Sequence, residues 1–203
     1  MSKSQRVTWR LVALGVVPIA LVTGLIAFNP QGTALSLLIR WSGTLGYVAT
    51  FLAILSSAYM RELYRFFGRP FLTVHHTLSI AGLVLVTLHP IGLAIETTDL
   101  AVFVPRVDSW EVFFELGGRP ALYLMWIAAL VALYRRTWRK SWRTIHYLNY
   151  VAFLLGTVHA LKIGTDFTYP LVRVLAVAMA IVVVAVFVRK RFGRPRAKRT
   201  SAR

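Results

Sequence analysis

Leu72-Thr73-Val74-His75-His76-Thr77-Leu78-Ser79-Ile80-Ala81-Gly82-Leu83-Val84-Leu85-Val86-Thr87-Leu88-His89 is the stretch on which the reading of this chain turns. It lies inside residues 70–95, which contain no Asp, Glu, Lys or Arg. About 20 predominantly apolar residues are enough for a helix to cross the hydrocarbon core of a bilayer. The only ionisable groups in the run are three histidines, and ionisable groups at membrane depth are costly and usually functional. One segment therefore predicts both a membrane helix and part of a site.

The rest of the chain repeats the pattern. Residues 11–39, 41–60, 120–134 and 144–161 carry no charged side chain, and 167–188 carry only Arg173. Six helices are predicted, roughly over 10–28, 43–60, 73–95, 118–135, 144–162 and 168–188. The apolar runs are continuous rather than alternating, which excludes a β-barrel. The fold class is an all-α integral membrane protein, a six-transmembrane-helix bundle over residues 1–189 with a basic tail at 190–203. Composition agrees: 57% of residues are hydrophobic and 15% charged, against about 45–50% and about 25% in soluble domains. The net charge of +17 invites a nucleic-acid reading, but the uncharged runs overrule it and no nucleic-acid partner is expected. With no cysteine there are no disulfides, no thiolate-held iron–sulfur clusters and no covalently attached c-type haem.

The first run follows Lys3, Arg6 and Arg10, as a signal peptide would. Its apolar stretch is long, and Asn29-Pro30-Gln31 does not resemble a small-residue cleavage site, so it is read as a retained helix. Alternate segments then hold Lys3, Arg6 and Arg10, next Arg61, Arg65 and Arg69, next the cations from Arg135 to Arg143, and finally those from Arg189 to Arg203. The intervening segments hold only Arg40, Arg106, Arg119, Lys162 and Arg173, with six of the seven acids. Loops rich in Lys and Arg stay in the cytoplasm. The expected placement is therefore a multi-pass protein of the cytoplasmic membrane with both termini inside. Most of the excess charge reports topology, and the tail is expected to lie on anionic membrane lipids. In the outer connection, Ser109–Leu116 reads either as a short interfacial helix with Trp and Phe at headgroup depth or as a solvated loop with an aromatic anchor.

The five histidines are His75, His76, His89, His146 and His159. All fall within or at the ends of the third and fifth predicted spans. His75 and His89 are 14 residues apart, which returns to within about 40° of one face after a rise of about 21 Å. His146 and His159 are 13 apart, a rise of about 19.5 Å. The two spans cross in the same direction, so His75 and His146 share the inner depth and His89 and His159 the outer one. Two histidines about 20 Å from the next two do not make a zinc site, which needs three or four converging ligands. A haem iron takes one axial ligand from each face of a flat ring, so facing helices can clamp one, and a filled axial pair suits electron transfer. A histidine-relay transporter gives no reason for matched depths.

Two points stay open at this level. A 13-residue step on an ideal helix ends about 140° away from its start, so either the fifth helix is distorted or the two sites differ in azimuth. His76 is also 13 from His89 and competes with His75, which the 14-residue step favours. Gly82, midway between His75 and His89, reads either as room for a flat macrocycle or as close helix packing. Arg61, Arg65 and Arg143 at the inner end, and Arg119 and Lys162 at the outer end, are candidate partners for haem propionates or ordinary flanking anchors.

The segments Leu72-Thr73-Val74-His75-His76 to Leu88-His89, and Trp142-Arg143-Thr144-Ile145-His146-Tyr147 to Val158-His159-Ala160, resemble the ferric-reductase-like transmembrane domain superfamily over about residues 41–189. That superfamily includes the membrane parts of ferric reductases and NADPH oxidases and the haem subunit of the bacterial methionine sulfoxide reductase system. The resemblance implies two haem b groups, one between His75 and His146 and one between His89 and His159, with iron as the bound metal. It implies transmembrane electron transfer from a cytoplasmic flavoprotein reductase or quinol to an acceptor on the outer side. The chain would then be the membrane electron-transfer component of an oxidoreductase, with no residue catalytic in its own right. Two departures qualify the pathway. No flavin or nicotinamide domain and no glycine-rich nucleotide motif is expected in this chain. The methionine sulfoxide reductase branch typically has arginine where His75 stands, although Arg119-Pro120-Ala121-Leu122-Tyr123 is similar to it. A quinol-oxidising cytochrome b subunit of a larger complex shares the haems and differs in donor.

Overall fold

A computed structural model describes residues 3–30, 32–60, 64–65 and 71–192. Among them there is no strand. The helices are α1 (Lys3–Phe28), α2 (Ala34–Ser56), α3 (Phe71–Thr97), α4 (Trp110–Glu115), α5 (Gly118–Leu133), α6 (Trp142–His146), α7 (Leu148–Ile163) and α8 (Pro170–Phe192). Two 3₁₀ turns, Leu100–Phe103 and Thr165–Thr168, lie in the connections. Three stretches, Ala34–Ser56, Leu72–Thr97 and Pro170–Phe192, are long and apolar enough to cross a membrane, while Val16–Phe28 and Gly118–Leu133 are shorter apolar helices.

Local chemistry sets the boundaries. Thr33 caps α2, its hydroxyl accepting from the Ser36 amide at 3.2 Å, and Ser109 caps α4 in the same way through Val112. Each cap supplies an acceptor to a first-turn N–H that has no partner within its own helix. Of the two readings of Ser109–Leu116, the helical one holds, as α4. Helix α2 starts at Ala34 rather than near 43, and so takes in Arg40. It can do so because the guanidinium is neutralised: Nε donates to Asp166 Oδ2 at 3.1 Å, and Nη1 donates to the Asn29 carbonyl at 3.0 Å.

Helices α2 and α3 form a tight antiparallel pair built on small residues. A Cβ added at Gly46 would meet Val86 Cγ1 at 2.8 Å, and one at Gly92 would meet Ile39 Cγ1 at 2.7 Å. At Gly82 it would meet Thr50 Oγ1 at 3.0 Å and the Thr50 amide nitrogen at 3.2 Å. Gly82 therefore serves helix packing, the second of its two readings. Helices α5 and α7 form another antiparallel pair. Helix α8 closes the bundle through a core of Phe51, Tyr150, Phe153, Met179 and Val183. Hydroxyls within the helices bond their own backbone, as Thr50 does to Gly46 at 2.8 Å and Thr157 to Phe153 at 2.8 Å. Among the described residues, no buried side-chain N or O atom is left without a partner, as apolar surroundings require.

The predicted fifth helix is two helices. Between α6 and α7 the Tyr147 amide donates to Thr144 O at 3.2 Å, and the Tyr150 amide to Tyr147 O at 3.0 Å. These i→i−3 bonds overwind the chain toward about 120° per residue, against 100° in an α-helix. The overwinding turns His146 toward the face that carries His159, which is the sense of distortion the 13-residue step requires.

Candidate functional site

Two histidine levels lie at opposite ends of the bundle. At one end the rings of His75 and His146 stand 6.2 Å apart, centre to centre, with 72° between their planes. At the other end His89 and His159 line one cavity of about 420 Å³. His76 is exposed, its ring 6.1 Å from that of His75, whereas His75 is half-buried.

Each of the four paired histidines is held by one backbone carbonyl. His75 Nδ1 meets Ala53 O at 3.0 Å, and His89 Nδ1 meets Ile39 O at 3.0 Å, both on α2. His146 Nδ1 meets Ala128 O on α5 at 3.2 Å, and His159 Nδ1 meets Glu115 O at the end of α4 at 2.7 Å. Toward a carbonyl oxygen, which can only accept, Nδ1 is the donor. Asn149 Nδ2, 3.3 Å from His146 Nδ1, has its own acceptor in His146 O at 3.1 Å. Ser56 Oγ, 3.2 Å from His75 Nδ1, donates to Ala53 O and is free to accept. In the neutral imidazole the lone pair then sits on Nε2. Metal-bound histidines are commonly fixed by this type of contact, which sets the tautomer and orients the ring. Two of these carbonyls lie at helix ends, where the ladder leaves acceptors over. Ala53 is near the end of α2 and also accepts from Ser56 Oγ at 2.6 Å, and Glu115 is the last residue of α4.

Glycines give two of the rings their room. A Cβ on Gly43 would lie 2.8 Å from His89 Nδ1, and one on Gly118 would lie 2.9 Å from both Cδ2 and Nε2 of His159. Gly156 also lines the cavity, and a Cβ there would meet nothing within 4 Å. The remaining wall is largely apolar, with Val86, Leu93, Leu122, Met125 and Phe153 among its residues, and Arg40, Asp166 and Arg119 at its polar rim.

The expected propionate partners are dispersed. Arg61 lies outside the described residues. Arg65 is exposed. Arg143 is exposed, its guanidinium carbon 5.3 Å from the centre of the Trp142 ring. Lys162 pairs with Glu111 at 3.8 Å. Arg119 lines the cavity, and its Nη1 donates to Ala101 O and Val104 O at 2.8 Å each, tying the outer connection down. Lys190 is close enough to His75 and His146 to act on both electrostatically.

No family model matches the chain, and no curated protein or solved structure matches it.

The site is therefore read from its own residues. Among the described residues no three His, Cys, Asp or Glu side chains converge as metal ligands. Sequence reasoning missed the Nδ1–carbonyl contacts, the Arg40–Asp166 pair and the roles of Gly43, Gly118 and Gly156. The glycines carried a usable signal, since a glycine inside an apolar helix marks a close approach. The carbonyl contacts carried none, because every residue has a carbonyl.

Proposed function

We propose that this chain binds two b-type haems, one held by His75 and His146 and the other by His89 and His159, and conducts electrons across the membrane between them. The observation that carries the reading is the common tautomer: all four imidazoles have Nδ1 engaged by a backbone carbonyl, with the lone pair on Nε2. The 6.2 Å between the His75 and His146 ring centres supports it. At that separation His75 and His146 would hold one group between their rings. At the other level, the 420 Å³ cavity offers the apolar surround that a macrocycle needs, and Gly118 and Gly156 keep its walls flat. A haem held by these histidines would supply a one-electron couple.

The chain contributes placement, ring orientation and exclusion of water. Helices α2, α4 and α5 fix the imidazoles through the Ala53, Ile39, Glu115 and Ala128 carbonyls, and the overwound turn at Tyr147 rotates His146 toward the face of His159. In this reading α1, α2, α3, α5, the α6–α7 pair and α8 are the six spans. The Lys/Arg asymmetry puts the His75 end and both termini in the cytoplasm. The donor is a cytoplasmic flavoprotein reductase or a membrane quinol, and the acceptor lies outside. The likeness to the ferric-reductase-like domain points the same way. The deciding experiment is an optical spectrum of the purified protein with haem quantified. Two low-spin haems per chain, extractable by acidic acetone, are expected. A colourless protein would overturn the proposal, and one haem per chain would confine it to a single pair.

A further inference from the structure

The connection between α5 and α6 lies at the end of the bundle that carries His75 and His146, and the redox reading gives it no role. Its backbone is ordered as successive turns. Trp138 N donates to Tyr134 O at 3.2 Å, and Trp142 N to Trp138 O at 3.0 Å. These turns gather Arg135, Arg136 and Arg139 with Trp142 around an open hollow of about 440 Å³. No carboxylate pairs with any of the three among the described residues. Three guanidinium groups facing one space repel one another unless an anion is shared between them. The guanidinium fork matches phosphate oxygens in pairs.

A second observation separates a lipid from a soluble phosphate. An exposed apolar stripe on α5, formed by Tyr123, Trp126, Ile127, Leu130 and Leu133, runs down to the hollow. Tyr134 and Trp138 stand exposed at its foot, where aromatic side chains mark the headgroup level of a membrane. Basic pockets at such a level bind anionic headgroups. We propose that Arg135, Arg136 and Arg139 bind the phosphate of an anionic phospholipid, whose acyl chains lie along this face of α5. The site is independent of haem.

The test uses the full chain in detergent, titrated with mixed micelles containing phosphatidylglycerol, phosphatidylcholine or no lipid plus inorganic phosphate. Arg136→Gln removes one charge inside the hollow. Lys140→Gln removes one in the same loop outside it. Diffuse attraction to an anionic surface changes by about fivefold per charge, equally for both variants. A site with charge-assisted hydrogen bonds loses about tenfold or more for Arg136→Gln alone. The expected result is that larger, selective loss for phosphatidylglycerol, no binding of phosphatidylcholine, and partial recovery in Arg136→Lys. Equal losses in Arg136→Gln and Lys140→Gln would overturn the site, as would inorganic phosphate displacing the lipid at equal concentration. Unchanged lipid binding in the Arg135→Gln/Arg136→Gln/Arg139→Gln variant, with binding of an acidic soluble protein lost instead, would also overturn it. Retained helical circular dichroism in each variant separates lost binding from misfolding.

Discussion

His75 and His146 come from different helical pairs and meet with their ring centres 6.2 Å apart. Each is anchored to the neighbour in its own pair, His75 to Ala53 of α2 and His146 to Ala128 of α5. Substituting either one should therefore have the same consequence. His75→Ala and His146→Ala should each lower haem content from two per chain to one. His89→Ala and His159→Ala should remove the other haem. His76→Ala should keep both, since that ring is exposed and has no carbonyl contact of the kind the other four share. Pyridine haemochrome quantification checks this, and loss of haem in His76→Ala but not in His75→Ala would reverse the assignment.

The Gly118 position distinguishes a site effect from a packing effect. A methyl group there would press on the Cδ2–Nε2 edge of His159 at 2.9 Å. A side chain's Cβ is bound to rigid helix backbone, so the imidazole has to move. Gly118→Ala should weaken the outer haem, with partial loss or a shifted reduction potential, and leave the inner one unchanged. Gly82→Ala makes a nearly as close contact, with Thr50 Oγ1 at 3.0 Å. It should lower the thermal midpoint without altering haem count, because overpacking a helix interface costs about 1–3 kcal/mol.

Gly156 offers the opposite manipulation. A Cβ there meets open space, so Gly156→Ala should be tolerated. Gly156→Phe would project a ring into the 420 Å³ cavity that His89 and His159 line. Haem content should fall toward one per chain while the helical content stays the same. Two haems in Gly156→Phe would place the outer macrocycle elsewhere.

The helices were legible in the sequence because apolar runs report membrane depth directly. The positions of α1, α3, α5 and α8 follow from them to within a few residues, apart from the extension of α1 to Lys3. The start of α2 was not legible, because a charge ends an apolar run on paper and Arg40 is neutralised by Asp166, 126 residues away in sequence. The kink at Tyr147 was only half legible. The 13-residue histidine step left a distortion or a difference in azimuth open, and no proline or glycine at that point marked the overwound turn. That His75 lies beside His146 and that His89 and His159 share one cavity was legible from depth alone, whereas the carbonyl anchors depend on backbone positions that no side chain announces.

Orientation can be read independently of cofactor. A reporter fused after residue 203, or inserted within 136–142, should report the cytoplasm, and one within 96–118 the outside. The asymmetry of Lys and Arg between alternate segments sets this. An external C-terminus would overturn the inside-to-outside direction proposed for the electrons.

The Arg40–Asp166 pair should be the most sensitive electrostatic contact in the described part of the bundle. Its side chains are 14% and 6% exposed, whereas those of Arg106 and Asp108 are each 56% exposed. Removing one partner of a buried pair leaves an uncompensated charge and costs about 3–5 kcal/mol. Breaking an exposed pair costs about 0–1 kcal/mol. Asp166→Asn should therefore lower the thermal midpoint of the purified protein by several degrees, while Asp108→Asn should leave it nearly unchanged. Because Arg40 also holds the Asn29 carbonyl, loosening should extend to the junction of α1 and α2, read as faster amide exchange there. The apolar double substitution Arg40→Met/Asp166→Leu removes both charges and should recover much of the lost stability, as replacement of buried ion pairs commonly does. If Asp166→Asn unfolds at the same temperature as the unmodified chain, water reaches the pair and the cavity rim is open there.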